Sequence, residues 1–340
     1  MPTHSIINRL PHDPRSQRGF TLIELMISLV IGLLLSAAIV KIYADTSQIY
    51  KFQSAVSEVQ ENGRFASTFL RRAVRLAGNF GCDASKPISG STLSDADATN
   101  LQFINGASPP DQLAQPIGGS EGGGINSDEL LLRGSTGGGV RLDANGGPDS
   151  DLTVEANSGL TANSFAVISD CDTTHLFEIK DVAGTTISHT GTTKEYTTDK
   201  GARVQEVQAV TYCIGRATAW TAANTLMALK RLRNPGAGQN CPNNGVELVE
   251  GIQNLQVRYG IDTDGDGFAN RYVTAPAAGH ADWALVKTLR IELLVRSLSN
   301  NITSTAVPPT LEGAAIPLAA NDRHLYKVMT NTMTLRNKGT

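Results

Sequence analysis

Three aspartates at alternating positions, Asp262, Asp264 and Asp266, run into Gly267. That spacing matches the first half of an EF-hand-type calcium loop, where alternating oxygen ligands face the cation and a glycine makes the sharp turn. Asn270 supplies a further side-chain oxygen. The twelfth position is Val273, where such a loop carries a bidentate glutamate. A distant carboxylate would therefore have to complete the set, and the affinity would fall near the weak range of about 10⁻⁴–10⁻³ M. The same residues also favour a plain Asp/Gly hairpin turn. Ca²⁺ is the one cofactor that the sequence suggests.

Four cysteines, Cys82, Cys171, Cys213 and Cys241, lie far apart and outside any metal-finger spacing. In an exported domain they read as two disulfides, with three connectivities open. The pairing Cys82–Cys171 with Cys213–Cys241 is favoured, because the second bridge closes a modest loop and leaves the first to join the helix end to the sheet.

Other catalytic patterns fail on context. Gly118-Gly119-Ser120-Glu121-Gly122 fits a nucleophile elbow, but it sits in glycine-rich, helix-poor sequence, whereas an elbow needs a strand before it and a helix after it. His175, His189, His280 and His324 form no zinc-binding pair, and no phosphate-cradling loop is present. A net charge of −3 gives no basic field for nucleic acid. The reading is of a non-enzymatic chain.

The most unusual carboxylate is Glu24. It lies inside residues 20–40, FTLIELMISLVIGLLLSAAIV, which are otherwise apolar apart from Thr21, Ser28 and Ser36. About 20 helical residues just span a hydrocarbon core of roughly 30 Å. A carboxylate there costs about 2.5–3.5 kcal/mol on insertion scales and needs a partner. Arg9, Arg15 and Arg18 precede the stretch, which places residues 1–19 in the cytoplasm and everything after residue 45 outside. Gly19 lies before the apolar stretch, not after it as in an ordinary secretory signal. Cleavage there would leave the helix on the protein and create an α-amine on Phe20, about one turn from Glu24.

Arg18-Gly19-Phe20-Thr21-Leu22-Ile23-Glu24-Leu25 resembles the class III signal of type IV prepilins and pseudopilins. The resemblance implies a dedicated prepilin peptidase that cuts after Gly19 and methylates Phe20, with Glu24 needed for subunit assembly.

The elements that carry these residues follow from periodicity. Apolar positions at helical spacing, Phe52, Val56, Val59, Ala66, Phe69, Ala73 and Val74, continue the helix to about residue 77. Arg64, Arg71, Arg72 and Arg75 supply a solvated polar face. Gly63 is a flex point and Gly78 a C-terminal stop. Residues 79–160 are rich in turns, and clearer strands follow at Ala202–Ile214, Met227–Leu232, Val246–Tyr259, Val286–Ser297 and Lys327–Arg336. Charged residues at 18% with 33 glycines suit a loop-rich extracytoplasmic β domain. The expected fold is α+β: one long N-terminal helix, half transmembrane and half stalk, packed on a mainly antiparallel sheet. The divisions are a leader at 1–19, an assembly helix at 20–44, a stalk at 45–78 and a β-rich domain at 79–340.

Two further stretches resemble the PilW family of minor pilins. They are Gln60 to Ala66 with Leu70 to Gly78, and Val249 to Gly260 followed by the Asp262–Gly267 loop, Trp283 and the Thr332–Arg336 strand. The resemblance implies a type IV pilin-like fold and a low-abundance subunit of a pilus initiation or tip complex. It would sit in the bacterial inner membrane with its C-terminal domain periplasmic, and reach the pilus or cell surface after assembly. Its partners would be the peptidase, other minor pilins, the major pilin and the lipid bilayer, with no nucleic acid. A minor pseudopilin of type II secretion shares the N-terminal signal, and a membrane-tethered adhesive domain is the alternative from another class.

Overall fold

A computed structural model describes residues 19–81, 88–93, 115–122, 126–155, 159–192, 194–222, 224–235, 238–277 and 280–337. The leader arginines and Cys82 lie outside these residues. The chain divides into two compact units, residues 1–52 and 53–340.

A single helix, α1 (Leu22–Leu76), runs from the first unit into the second. In the first unit its apolar side chains, from Leu22 through Ile42, are exposed. It is long and apolar enough to cross a membrane. In the second unit the pattern changes to one buried stripe: Ala55, Val59, Gly63, Ala66, Ser67, Leu70 and Val74. These spacings of three and four keep one face inward. Two expected core residues are not in that stripe, since Phe52 is 44% and Phe69 43% exposed. The stripe uses small residues instead, so the helix can approach the sheet closely.

Gly63 does not interrupt the helix. A Cβ there would collide with Met329 Sδ and crowd Val295 Cγ2, so its role is packing rather than flexibility. The helix ends where expected: Gly78 takes φ +79° and donates to Arg133 O at 2.8 Å.

The first sheet takes β1 (Gly90–Ser91), β2 (Ile117–Ser120), β3 (Glu129–Ser135), β4 (Val140–Arg141), β5 (Leu152–Thr153), β6 (Ser164–Ser169), β7 (Thr174–Ala183), β8 (Thr186–His189), β9 (Arg203–Arg216), β10 (Met227–Arg233) and β11 (Val246–Glu250). β9 is its spine, bonding β10 and β3 through its C-terminal half and β6 and β4 through its N-terminal half. All pairings are antiparallel except β1 with β7. The β7–β8 hairpin was not anticipated, because Lys180, Asp181 and Gly184 break its apolar alternation.

The second sheet has the order β13 (Arg271–Val273), β12 (Ile252–Ile261), β14 (Val286–Arg296) and β17 (Tyr326–Thr334). A small hairpin, β15 (Thr310–Leu311) and β16 (Ala314–Ala315), forms its own two-stranded sheet and is tied to β12 and β14 through Glu312, which bonds Arg258 and Glu292. The run Val246–Tyr259, read from the sequence as one strand, is two strands in different sheets. Gly251 turns the chain between them at φ +79°, where an added Cβ would press on Arg296 O.

The main core is shared: α1 contributes Val59, Ala66, Leu70 and Val74, the first sheet Leu130, Val210 and Leu229, the second Leu255, Ile291 and Leu293. Glu58 on the helix also accepts from Leu298 N–H at 2.6 Å, beside Gly251. A second core between β4, β5, β6, β7 and β8 is built around Ile168, Phe177 and Ile187.

Candidate functional site

Gly19 and Phe20 precede the helix, and Phe20 is 88% exposed. No described residue lies within 4 Å of the space beside Gly19, so none of them hinders approach to the peptide bond between Gly19 and Phe20. Thr21 then starts the helix, and Glu24 turns back onto it. The Glu24 carboxylate accepts from Thr21 N–H at 2.9 Å and from Thr21 Oγ1 at 3.0 Å, while Glu24 N–H donates to Thr21 Oγ1 at 3.3 Å. This is a capping box, in which the third helical residue satisfies an otherwise orphaned N-terminal amide. The negative charge also lies at the positive end of the helix dipole.

The remaining polar groups of the apolar stretch close on the helix itself. Ser28 Oγ donates to Glu24 O at 2.7 Å and Ser36 Oγ to Gly32 O at 2.8 Å. A helix whose hydroxyls are bonded to its own carbonyls presents few unsatisfied groups to lipid.

The acidic loop between β12 and β13 brings three of its four expected ligands together. One carboxylate oxygen from each of Asp262, Asp264 and Asp266 lies within 4.8 Å of the others. Asp262, 4% exposed, caps the loop: its two oxygens accept from Gly265 N–H at 2.7 Å and Gly267 N–H at 2.9 Å. Burial opposes its charge, yet these two amides, Asp264 and the Lys287 ammonium hold its carboxyl below the usual range. Asp266 accepts from Phe268 N–H at 2.8 Å. The Asn270 side-chain oxygen accepts from Thr263 N–H at 3.3 Å and from Thr263 Oγ1 at 3.0 Å, within the same loop. The loop is thus closed by its own hydrogen bonds, as an Asp/Gly hairpin turn is.

Cys213 and Cys241 form a disulfide with Cα atoms 6.0 Å apart. It fastens the short helix α2 (Cys241–Asn244) to β9. Cys171 is also disulfide-bonded; Cys82, its expected partner, is not among the described residues.

The elbow-like segment is part of β2, where Ser120 lies opposite Glu129 in the ladder. Asp322 accepts from His324 Nδ1 and Tyr326 OH, both at 2.8 Å, and no serine or cysteine hydrogen-bonds that group among the described residues. Sequence reasoning missed Arg133, which is fully buried and donates to Gln115 O at 2.9 Å; burial pulls its guanidinium down to about 9. No local pattern marks such a residue, because its neighbours come from another strand.

Two family models match this chain. Residues 14–40 match the prokaryotic N-terminal methylation motif, and residues 211–337 match the Type IV Pilus-assembly protein W family, PilW. The second match runs from the middle of β9 beyond the end of β17 and so includes the whole second sheet. No curated protein and no solved structure matches.

Proposed function

We propose that this PilW-like, type IV pilus-related chain is a minor pilin, cut after Gly19 and assembled through its N-terminal helix into a pilus initiation or tip complex. The observation that carries the reading is the register of Gly19, Phe20 and Glu24 on an exposed apolar helix within the matched methylation motif. An anchor that only held a domain on a membrane would do better with leucine at position 24.

In this reading the peptidase reaches the open Gly19–Phe20 bond and frees an α-amine. Phe20 is then methylated. The amine, on the same or a neighbouring chain, adds a positive charge beside the Glu24 carboxylate, which in the precursor is held by Thr21. In a medium of low dielectric that pair is strong enough to favour one register between helices. The apolar side chains from Leu22 to Ile42 meet lipid before assembly and other subunits after it. The β-rich unit is periplasmic before assembly and displayed on the pilus or cell surface afterwards. The PilW match favours a pilus over a type II secretion pseudopilin.

Substitution of Gly19 with a β-branched residue, such as Gly19→Val, tests the assignment. Immunoblots of membranes should show an uncut precursor; processing at the normal rate would sink it.

A further inference from the structure

Among the described residues, β17 is the outer strand of the second sheet, bonded to β14 on one side only. Leu335 donates to Lys287 O at 2.9 Å and Ser297 donates to Leu325 O at 2.9 Å, in one continuous register without a bulge. Antiparallel ladders alternate, so the odd-numbered residues of β17 bond β14. Val328, Thr330, Thr332 and Thr334 then turn their N–H and C=O groups to the opposite side, where no described residue meets them. A free edge of this length is what proteins usually blunt with proline, a bulge, charge or a cover. Here no proline interrupts the strand, and its one charged residue is Lys327, near the start.

Beside this edge lies positive charge. Two clefts, of about 340 and 390 Å³, are lined by Arg71, Arg75 and Arg336 together with Thr332 and Thr334 in one and Thr68 and Leu76 in the other. No carboxylate of a described residue lines either cleft. Arg71 reaches only the neutral Asn331 side chain, at 3.2 Å. No ion pair joins any of the three arginines to a carboxylate among the described residues.

Helix and strand also run alongside each other. Gly63 faces Met329, Ser67 bonds Asn331, and Ala77 O accepts from Asn337. Arg71 and Arg75 are one helical turn apart, about 6 Å along the axis. Alternate residues of an added strand would be about 6.7 Å apart. The two spacings agree closely enough for a strand's same-face side chains to meet successive arginines.

We propose that the free edge of β17 is a docking site for an extended segment of a partner protein bearing carboxylates at alternating positions. The segment adds a fifth strand beside β17, taking the outward amides and carbonyls as its ladder. Its carboxylates face Arg71, Arg75 and Arg336. Backbone bonds supply affinity and the paired charges supply register. A second copy of this chain is disfavoured as occupant, because its own β17 offers no carboxylate and carries Lys327 as its one charged residue. The site rests on the pilin reading only in the expectation that the partner is another subunit of the same assembly.

The test uses the full-length chain in pilus-producing cells, with the photo-crosslinker benzoylphenylalanine in place of Thr330. The crosslinked peptide should come from a different polypeptide and carry Asp or Glu at alternating positions. Thr332→Pro removes an outward donor that the β14 ladder does not use, and it should reduce the adduct roughly tenfold. Arg71→Glu with Arg75→Glu should do the same, while Arg71→Lys with Arg75→Lys should retain most of it. Absence of an adduct, an adduct with a second copy, or one unchanged by both the proline and the charge reversal overturns the proposal. Cleavage after Gly19 is scored in the same samples, so that loss of the adduct with normal processing is attributed to the edge, and loss of processing to the pilin reading.

Discussion

Thr21 and Glu24 hold each other, each offering the other's backbone amide an acceptor, at 2.9 and 3.3 Å. One carboxylate therefore caps the helix, and in the function proposed above it is also the counter-ion for the amine that cleavage creates. Glu24→Gln keeps an oxygen for Thr21 N–H but removes the charge, whereas Glu24→Ala loses both. Both variants are expected to be processed after Gly19 and both to assemble poorly, read as sheared pilus yield. Assembly of the glutamine variant at the level of the unaltered chain would leave Glu24 only its capping role.

The close approach of α1 to the second sheet depends on a missing side chain. At Gly63, alanine gains about 1 kcal/mol in helix propensity but must displace the flexible end of Met329, so Gly63→Ala should be near neutral. Gly63→Leu should cost about 1–3 kcal/mol by overpacking against Met329 and Val295. Urea denaturation measures both, and Met329→Ala should recover part of the loss in the leucine variant. Equal stability of the alanine and leucine variants would contradict this packing.

The Cys213–Cys241 bridge closes a separation of 28 residues. Constraint of the unfolded chain by a loop of that size is worth about 3–4 kcal/mol. Cys213→Ala with Cys241→Ala should lower Tm by several degrees, and a reductant should have little further effect through this bridge. An unchanged Tm would mean that strain or residual structure cancels the gain.

His175 is 0% exposed, and burial, with His189 nearby, pulls its imidazole down to about 4. The unfolded residue titrates near 6.5. Between these values the unfolded chain takes up a proton that the folded chain refuses. The contribution of His175 is thus complete above pH 6.5 and is lost as pH falls from 6.5 towards 4, by at most about 3 kcal/mol. Urea midpoints at pH 7.5 and 4.5 should differ less in His175→Leu than in the unaltered chain. An equal difference would assign the acid sensitivity to other groups.

Asp262 organises its loop through the amides of Gly265 and Gly267. Asp262→Ala should therefore destabilise the domain by about 1–3 kcal/mol even in a chelator. Loss of stability only when Ca²⁺ is supplied would show that the amide bonds are minor and the metal dominant.

Much of this molecule is written locally. The apolar run from residue 20, the lone glutamate in it and the glycine before it are adjacent in the chain, and a helix needs only neighbouring residues to form. The helix was legible from order alone, as were the strands β9, β14 and β17. What could not be read depends on residues far apart. The division of Val246–Tyr259 between two sheets rests on Arg296 closing around Gly251. The burial of Arg133 rests on carbonyls in and just before a different strand. The absence of a side chain at position 63 in the buried stripe rests on Met329 and Val295, which fill the space a Cβ would take. The free edge of β17 exists only because of where β14 and α1 leave it. The sequence by itself determined the helix that is long and apolar enough to cross a membrane, because that pattern lies within a few turns of one helix. Only the tertiary structure decided which surface remains open to a partner, because an edge is defined by the neighbours a strand does not have.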